Sequence, residues 1–191
     1  LMQIPGLYPF FRRHVQQGFG EQGLAQPALV DYVSELLTRF ARVNVLFPLH
    51  SADGRPIETI AGLLMAWQAE TGDAAKPGHT RETLVLHHIA DYALFMSGVF
   101  RERLKYRGQI TYYRDHGRSA FARCARLESS PQRAAVLRRV SHDFEPISNA
   151  LDQLWQLMEY GERALWLVAA MALIIGLTGQ VAVVLATLNE R

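Results

Sequence analysis

The sequence predicts an all-α protein, a compact bundle of about five to six helices followed by a C-terminal apolar helix. Apolar residues recur at intervals of three and four along most of the chain, and no stretch alternates apolar and polar residues as a half-buried strand does. The last helix is predicted from the 26 residues from 164 to 189, which carry no charge. About 20 apolar residues cross a bilayer, so this run predicts a transmembrane anchor, and the alternative is a helix buried on all sides.

These patterns divide the chain into three parts. We expect residues 1–26 to be an N-terminal extension, residues 27–161 to be the helical domain and residues 162–191 to be the transmembrane anchor. About 100–200 residues make one domain, so the middle part is long enough to bury its own core.

Proline and glycine mark the ends of the first three predicted helices. Pro27 and Pro56 each suit the first position of a helix, because proline lacks the N–H that the first turn leaves unpaired. The first helix is predicted to end before Pro48, and the third to begin at the N-cap residue Thr80. Gly108 predicts the break that follows the third helix.

Three further helices are predicted to begin at about residues 110, 131 and 147. The first of them contains Gly117, which predicts the close approach of another helix, because glycine inside a helix otherwise costs about 1 kcal/mol relative to alanine. Ser130 and Pro131 predict the next helix start. That helix must bend or stop at Pro146, where a backbone donor is missing.

Positive charge is concentrated in the middle of the chain. The formal net charge is +2, yet residues 101–139 hold eleven Lys or Arg against three Asp or Glu, whereas the flanking parts are net acidic. Such a segment can attract anionic lipid headgroups, nucleic acid or a phosphorylated ligand, and the alternative is a solvated face paired with acidic neighbours. No nucleic-acid recognition motif accompanies it, so nucleic acid is the least favoured partner.

The third and fourth helices hold a candidate metal site. His87 and His88 lie four and three residues before Asp91, so either histidine shares a helix face with the carboxylate. With His116 from the next helix, these side chains have the chemistry of metal ligands. No Glu-x-x-His repeat of a diiron bundle is present, and a structural hydrogen bond between His88 and Asp91 is the favoured interpretation.

Arg114 and Arg118, one helical turn apart, are candidate contacts for a phosphate or a lipid headgroup. They can equally tie the third and fourth helices together through Asp91 or Glu102, and this internal tie is favoured. The sequence contains no phosphate loop, no nucleophile elbow and no paired-cysteine motif. We therefore expect no cofactor and no catalytic triad, and the pattern does not favour an enzyme.

Two segments of the chain resemble known proteins. They are Asp91-Tyr-Ala-Leu-Phe-Met-Ser-Gly-Val-Phe-Arg-Glu102 and Tyr112-Tyr-Arg-Asp-His-Gly-Arg-Ser-Ala-Phe121. They resemble a group of mostly proteobacterial all-helical proteins with the pattern Asp-Tyr-x-Leu-Phe-x-x-Gly-x-Phe followed by Tyr-Tyr-x-x-x-Gly-x-x-Ala-Tyr. The resemblance extends over roughly residues 28–144 and implies an all-helical domain, without an activity. Phe121 stands where the group has its last tyrosine.

The apolar run also predicts a contact surface. Ala172, Gly176 and Gly179 belong to a stripe of small residues, which lets helix backbones approach closely in lipid and favours a homodimer or docking on another membrane protein. The N-terminal residues lack the pattern of a signal peptide, so we expect the folded part on the cytoplasmic side of a bacterial inner membrane. A wholly cytoplasmic protein is the alternative.

The sequence therefore predicts a membrane-anchored bacterial interaction or scaffold protein whose principal partner is the lipid bilayer. The first alternative is a helical metal-binding protein or metal-dependent enzyme that uses His87, His88, Asp91 and His116. The second is a basic surface that binds anionic lipid or nucleic acid.

Overall fold

The computed structural model describes residues 6–41, 59–63, 65 and 79–158, with the backbone alone at residues 79–82. In these ranges every element of regular structure is helical and no strand occurs, which confirms the predicted all-α class. The chain divides into two compact units, residues 1–154 and residues 155–191. The contacts described below all lie within the first unit.

The first helix, α1, spans Leu7–Glu21 and packs on α2, which spans Pro27–Phe40. Phe11, Val15 and Phe19 are spaced four residues apart, so they form one apolar stripe, and all three are buried. The part of the chain that the sequence analysis assigns to an N-terminal extension thus contains a helix of the bundle. Its narrow stripe is set among polar and basic residues, which hides the periodicity in the sequence.

The turn between α1 and α2 is a helix-ending motif built on Gly23. The N–H of Leu24 donates to the carbonyl of Phe19 at 2.9 Å, and the N–H of Gly23 donates to the carbonyl of Gly20 at 3.4 Å. This pair of bonds needs the left-handed backbone that Gly23 adopts at φ 71°, which other residues enter only with strain. The motif reverses the chain so that α2 returns along α1.

A surface ion pair adds to this packing. Nε of Arg12 donates to Oδ1 of Asp31 at 2.7 Å, and the hydroxyl of Tyr8 donates to the same oxygen at 3.2 Å. The hydrogen bond from Arg12 holds the pKa of the Asp31 carboxyl below its ordinary value. Both partners of the ion pair are about two-fifths exposed, so the pair orients α1 on α2 more than it stabilises the bundle.

Pro27 lies in the first turn of α2, as predicted, and the helix is described as far as Phe40. The predicted end of this helix, before Pro48, lies outside the described residues. Residues 60–63 are helical, within the predicted second helix, and Oγ1 of Thr59 accepts a hydrogen bond from the N–H of Gly62 at 3.0 Å. Ile60 and Leu63 of this segment are buried.

The third predicted helix is observed as two helices, α3 at His79–Val99 and α4 at Arg101–Tyr106. Every residue of α3 from 89 to 99 is buried, which makes this half of α3 the central element of the first unit. Gly108 follows α4 with φ 65°, so the break predicted there is confirmed. The additional break falls at Phe100, whose backbone leaves the helical region.

Two helices then form an antiparallel hairpin, α5 at Ile110–Leu127 and α6 at Pro131–His142. Both begin where the sequence predicts, and the Ser130 hydroxyl accepts a hydrogen bond from the N–H of Arg133 as an N-cap. The last helix of the described residues, α7, begins at residue 144 and continues to residue 158, where the described part of the chain ends. Pro146 lies in the first turn of α7, where its missing N–H removes no hydrogen bond.

Two glycines allow helices to approach closely around α3. A Cβ atom at Gly117 of α5 would lie 2.6 Å from the ring of Phe144 and 2.9 Å from Cβ of Ala93, so the predicted close approach is confirmed. A Cβ atom at Gly98 of α3 would lie 2.6 Å from Cβ of Leu151. The contacts of α3 with α5 and with residues of α7 therefore depend on the absence of two side chains.

Within the described ranges, no helix is both long and apolar enough to cross a membrane. The predicted anchor at residues 162–191, with its apolar run 164–189, lies outside the described residues. The all-helical bundle is thus established without its predicted C-terminal segment.

Replacing Gly117 with alanine should destabilise the bundle by about 1–3 kcal/mol, because the new methyl group overpacks a site where Phe144 is fully buried and has no room to move. Gly20→Ala in α1 is the matched control, since nothing lies within 4 Å of the added Cβ. It should stabilise by about 0.5–1 kcal/mol through helix propensity. Urea unfolding measures both changes, and an equal effect of the two substitutions would contradict the close approach.

Candidate functional site

The most buried carboxylate of the described core is that of Asp91 in α3, a residue that is 2% exposed. Its Oδ1 accepts a hydrogen bond from the hydroxyl of Tyr32 at 2.5 Å, and its Oδ2 accepts one from Nη2 of Arg39 at 2.9 Å. Tyr32 and Arg39 are seven residues apart, about two helical turns, so both project from one face of α2. Each carboxylate oxygen thus has one donor, and both donors come from α2.

This cluster is buried at the carboxylate and open at the guanidinium. The side chain of Asp91 is 3% exposed, whereas that of Arg39 is 50% exposed. Burial raises the pKa of Tyr32 well above its ordinary value, and the charge of Asp91 adds to the effect, so Tyr32 keeps its proton and remains a donor. A buried carboxylate requires such partners, because removing it from water costs several kcal/mol. The chemistry of the cluster is that of a structural tie between α2 and α3.

His88 lies one turn before Asp91, but its contacts are aromatic. Its ring stacks on Tyr92 with 6.2 Å between centroids and meets the edge of Phe40 at 5.7 Å. Nε2 of His88 is buried and has no hydrogen-bond partner among the described residues. Burial lowers the pKa of His88, although Asp91 acts in the opposite direction. The predicted hydrogen bond between His88 and Asp91 is not formed, and the carboxylate of Asp91 instead accepts from Tyr32 and Arg39.

The four predicted metal ligands have different neighbours. Nδ1 of His116 lies 2.9 Å from the carbonyl of Tyr112 within α5. Asp91 is held by α2, and His88 packs among aromatic rings. His87 is half-buried and lies close enough to Glu128 to lower the pKa of that carboxyl. Over the described ranges, no group of three or more His, Cys, Asp or Glu side chains is close enough to hold a metal ion. The described geometry thus gives the predicted metal set no support.

Cys124 and Ser97 are among the side chains with nucleophilic atoms that are buried in this core. Cys124 is a free thiol with no exposed surface, and burial raises its pKa to about 12. It therefore stays protonated at neutral pH and behaves as a small apolar side chain. The hydroxyl of Ser97, 1% exposed, has no hydrogen-bond partner within the described part of the chain, and so no base within it is placed to activate this serine.

The two predicted anion contacts differ in their surroundings. Arg114 is bracketed by carboxylates, with Nε 3.2 Å from Oδ1 of Asp115 and Nη1 3.7 Å from Oε2 of Glu145. The favoured tie through Asp91 or Glu102 is not formed, since Arg39 holds Asp91 and Lys105 lies 2.6 Å from Glu102. Arg118 is exposed, and its backbone carbonyl accepts a hydrogen bond from the hydroxyl of Ser141. Arg114 is thus largely neutralised and Arg118 is open.

The basic middle of the chain leaves several cations unmatched. Glu102, Asp115 and Glu128, the three acidic residues between 101 and 139, each lie within salt-bridge distance of a neighbouring cation. Four exposed arginines of the same segment have no acidic partner among the described residues, and we refer to them as the unpaired arginines: Arg107, Arg118, Arg126 and Arg138. They belong to α5, α6 and the turn that follows α4.

The predicted packing stripe, Ala172, Gly176 and Gly179, lies outside the described residues. No protein-family model, curated protein or solved structure matches the chain. The resemblance carried by the segments at 91–102 and 112–121 therefore stays a prediction.

Removing the Asp91 carboxylate should destabilise the protein by about 1–3 kcal/mol, because Asp91→Ala leaves the hydroxyl of Tyr32 without its acceptor and separates α2 from α3. Asp31→Ala is a matched control one residue before Tyr32, and its exposed ion pair with Arg12 should make a much smaller difference. Chemical denaturation of both variants tests the expectation. Equal losses would mean that the buried cluster contributes no more than a surface pair.

Protonation of His88 should weaken the fold at mildly acidic pH. Burial lowers the pKa of His88 below the value of 6.5 that it has when unfolded, so the unfolded chain takes up the proton first. The stability that neutral, buried His88 contributes to the fold is therefore fully present above about pH 6.5. It is lost as the pH falls toward the lowered pKa of His88. His88→Gln should flatten the fall in the free energy of unfolding between about pH 7 and pH 5. Parallel stability curves for parent and variant in this window would refute the assignment.

Proposed function

We propose that the chain is a bacterial interaction or scaffold protein, held at the cytoplasmic face of the inner membrane by residues 164–189. Its helical bundle presents the unpaired arginines to an anionic partner. Attachment is supported by the length and composition of the apolar run, which exceeds the about 20 residues that a membrane-spanning helix needs. The interaction role is supported by the unpaired arginines.

The surplus of exposed positive charge is the observation that carries the proposal. Inside residues 101–139 each acidic side chain already has a cationic neighbour, and the unpaired arginines have no acidic partner among the described residues, so these four are available to a molecule outside the chain. Exposed guanidinium groups, all positively charged, attract anionic surfaces over roughly 8–10 Å at physiological salt. Arginine also forms paired hydrogen bonds with carboxylate and phosphate groups, which adds geometric selectivity to this attraction.

The polar groups of the core support an interaction role more than a catalytic one. Both oxygens of Asp91 accept hydrogen bonds, from Tyr32 and Arg39, and Cys124 is held as a neutral thiol. A metal-dependent enzyme built on His87, His88, Asp91 and His116 is the rival, and it requires stoichiometric transition metal. Elemental analysis of protein purified without a polyhistidine tag separates the two, because the interaction role requires none.

The apolar run also bears on the partner. Ala172, Gly176 and Gly179 place small residues along one side of a helix built from this run, and small residues allow a second helix to approach closely in lipid. A second copy of the chain, or another membrane protein, is the partner that fits this stripe. Nucleic acid is not proposed, since no recognition motif accompanies the basic segment.

Full-length protein expressed in bacteria should fractionate with membranes and resist extraction by high salt or carbonate. The matched control keeps the whole chain and places two charges in the run, Ile174→Arg with Leu177→Arg. Each charge costs about 2.5–3.5 kcal/mol at the centre of a membrane helix, so the variant should be released. Full-length protein in the soluble fraction, or equally firm retention of the charged variant, would refute the anchor.

A further inference from the structure

The corner where α5 meets α6 contains a surface groove of about 560 Å³. Its floor is made of small side chains, Ala125 at the end of α5 and Ala134 in the second turn of α6, which are 4% and 5% exposed. Pro131 closes the end at the interhelical loop, and Arg126 and Arg138 line the groove from the two helices. Neither alanine is large enough to fill the space between the helices, so the groove that the two arginines line stays open.

Both of these arginines belong to the unpaired arginines. Glu128 also lines the groove, but its carboxylate already accepts a hydrogen bond from the N–H of Ser130 at 3.0 Å and lies 3.5 Å from Nε of Arg133. The hydrogen bond from Ser130 is the main cause that lowers the pKa of the Glu128 carboxyl, and Arg133 adds to it. The one acidic group in the lining is thus committed to the loop, and Arg126 and Arg138 keep their donors.

We propose that this groove binds a phosphate group, with Arg126 and Arg138 as its ligands. Each guanidinium presents two parallel N–H donors, and a phosphate offers three or more acceptor oxygens in a tetrahedral arrangement. Two arginines that approach from two helices match that shape from two sides. The start of α6 adds positive potential through its helix dipole, and its first turn contains no acidic residue to offset it.

A phosphate suits the groove better than an acidic peptide does. The groove is confined to the last turn of α5 and the first two turns of α6, and its unpaired charge is concentrated in two side chains. A phosphate monoester concentrates close to two negative charges on the three terminal oxygens of one group. An extended peptide spreads its carboxylates about 6–7 Å apart along one face, and the described lining has no further unpaired cation to receive them.

This inference rests on the proposed function in one respect, because membrane attachment makes a phospholipid headgroup a nearby source of the phosphate. A free phosphate or a soluble phosphomonoester is the other source, and the ligand chemistry is the same. The experiment therefore uses full-length protein in a non-ionic detergent, where binding to the groove is measured independently of whether the chain inserts into membranes.

Amide hydrogen exchange of the peptide that covers residues 125–138 is measured during two titrations at constant ionic strength. One adds inorganic phosphate, with sodium acetate as the carboxylate control. The other dopes the micelles with phosphatidic acid, with oleate as an anionic amphiphile that lacks phosphate. We expect saturable protection by phosphate or by phosphatidic acid and none by the carboxylates. Protection by both sources, or by inorganic phosphate alone, shows that a soluble phosphate is sufficient for binding to the groove. Protection by phosphatidic acid alone shows that the groove binds the phosphate of a lipid headgroup.

Two double variants with equal charge loss complete the experiment. Arg126→Gln with Arg138→Gln should weaken phosphate binding at least about tenfold, as expected for the loss of charge-assisted hydrogen bonds. Arg13→Gln with Lys105→Gln removes two exposed cations that lie outside the groove and outside the set of unpaired arginines, and it should leave binding within about twofold of the parent. All four side chains are exposed, and circular dichroism checks that both variants fold. Equal weakening by the two variants, protection by the carboxylates, or no protection in either titration would overturn the proposal.

Discussion

The buried carboxylate of Asp91 is the constraint on which the arrangement of the bundle depends. An unpaired charge at this position would cost several kcal/mol, so the fold is stable only where two donors reach both oxygens. Tyr32 and Arg39 satisfy this requirement at one rotation and one register of α2 against α3. A purely apolar contact would tolerate sliding, whereas this contact does not. Since α1 docks on α2, its position follows from the same contact.

Shape provides the second constraint, on the other side of α3. The buried half of α3 is apolar nearly all round, so hydrophobicity alone does not select which surface faces α5 and which faces α7. Gly98 and Gly117 select it, because only at these positions do the backbones approach closely enough for Leu151 and Phe144 to pack. The hydrogen bonds of Asp91 thus fix α3 against α2, and the two glycines, which have no side chain, fix α3 against α5 and α7.

Sequence reasoning succeeded where the signal is local. Pro27, Gly108 and the pair Ser130 and Pro131 mark helix ends through backbone chemistry that needs no distant partner, and the observed helices begin and end there. The partners of Asp91 were missed for the opposite reason. They lie 59 and 52 residues away in the chain, and a tyrosine and an arginine spaced by two turns on an amphipathic helix look like part of a solvated face. Their seven-residue spacing is the only trace in the sequence.

The same distinction explains why the candidate phosphate ligands differ from the arginines singled out in the sequence. Arg114 and Arg118 are conspicuous because they are one turn apart, but Asp115 and Glu145 surround Arg114 once the chain folds. Arg126 and Arg138 are twelve residues apart, and only the α5–α6 turn brings them to one groove. What decides the availability of a cation is where the acids lie in three dimensions. The fold uses its carboxylates at helix contacts and within the helices, and so two of the four unpaired arginines, Arg126 and Arg138, are left at the corner of the hairpin.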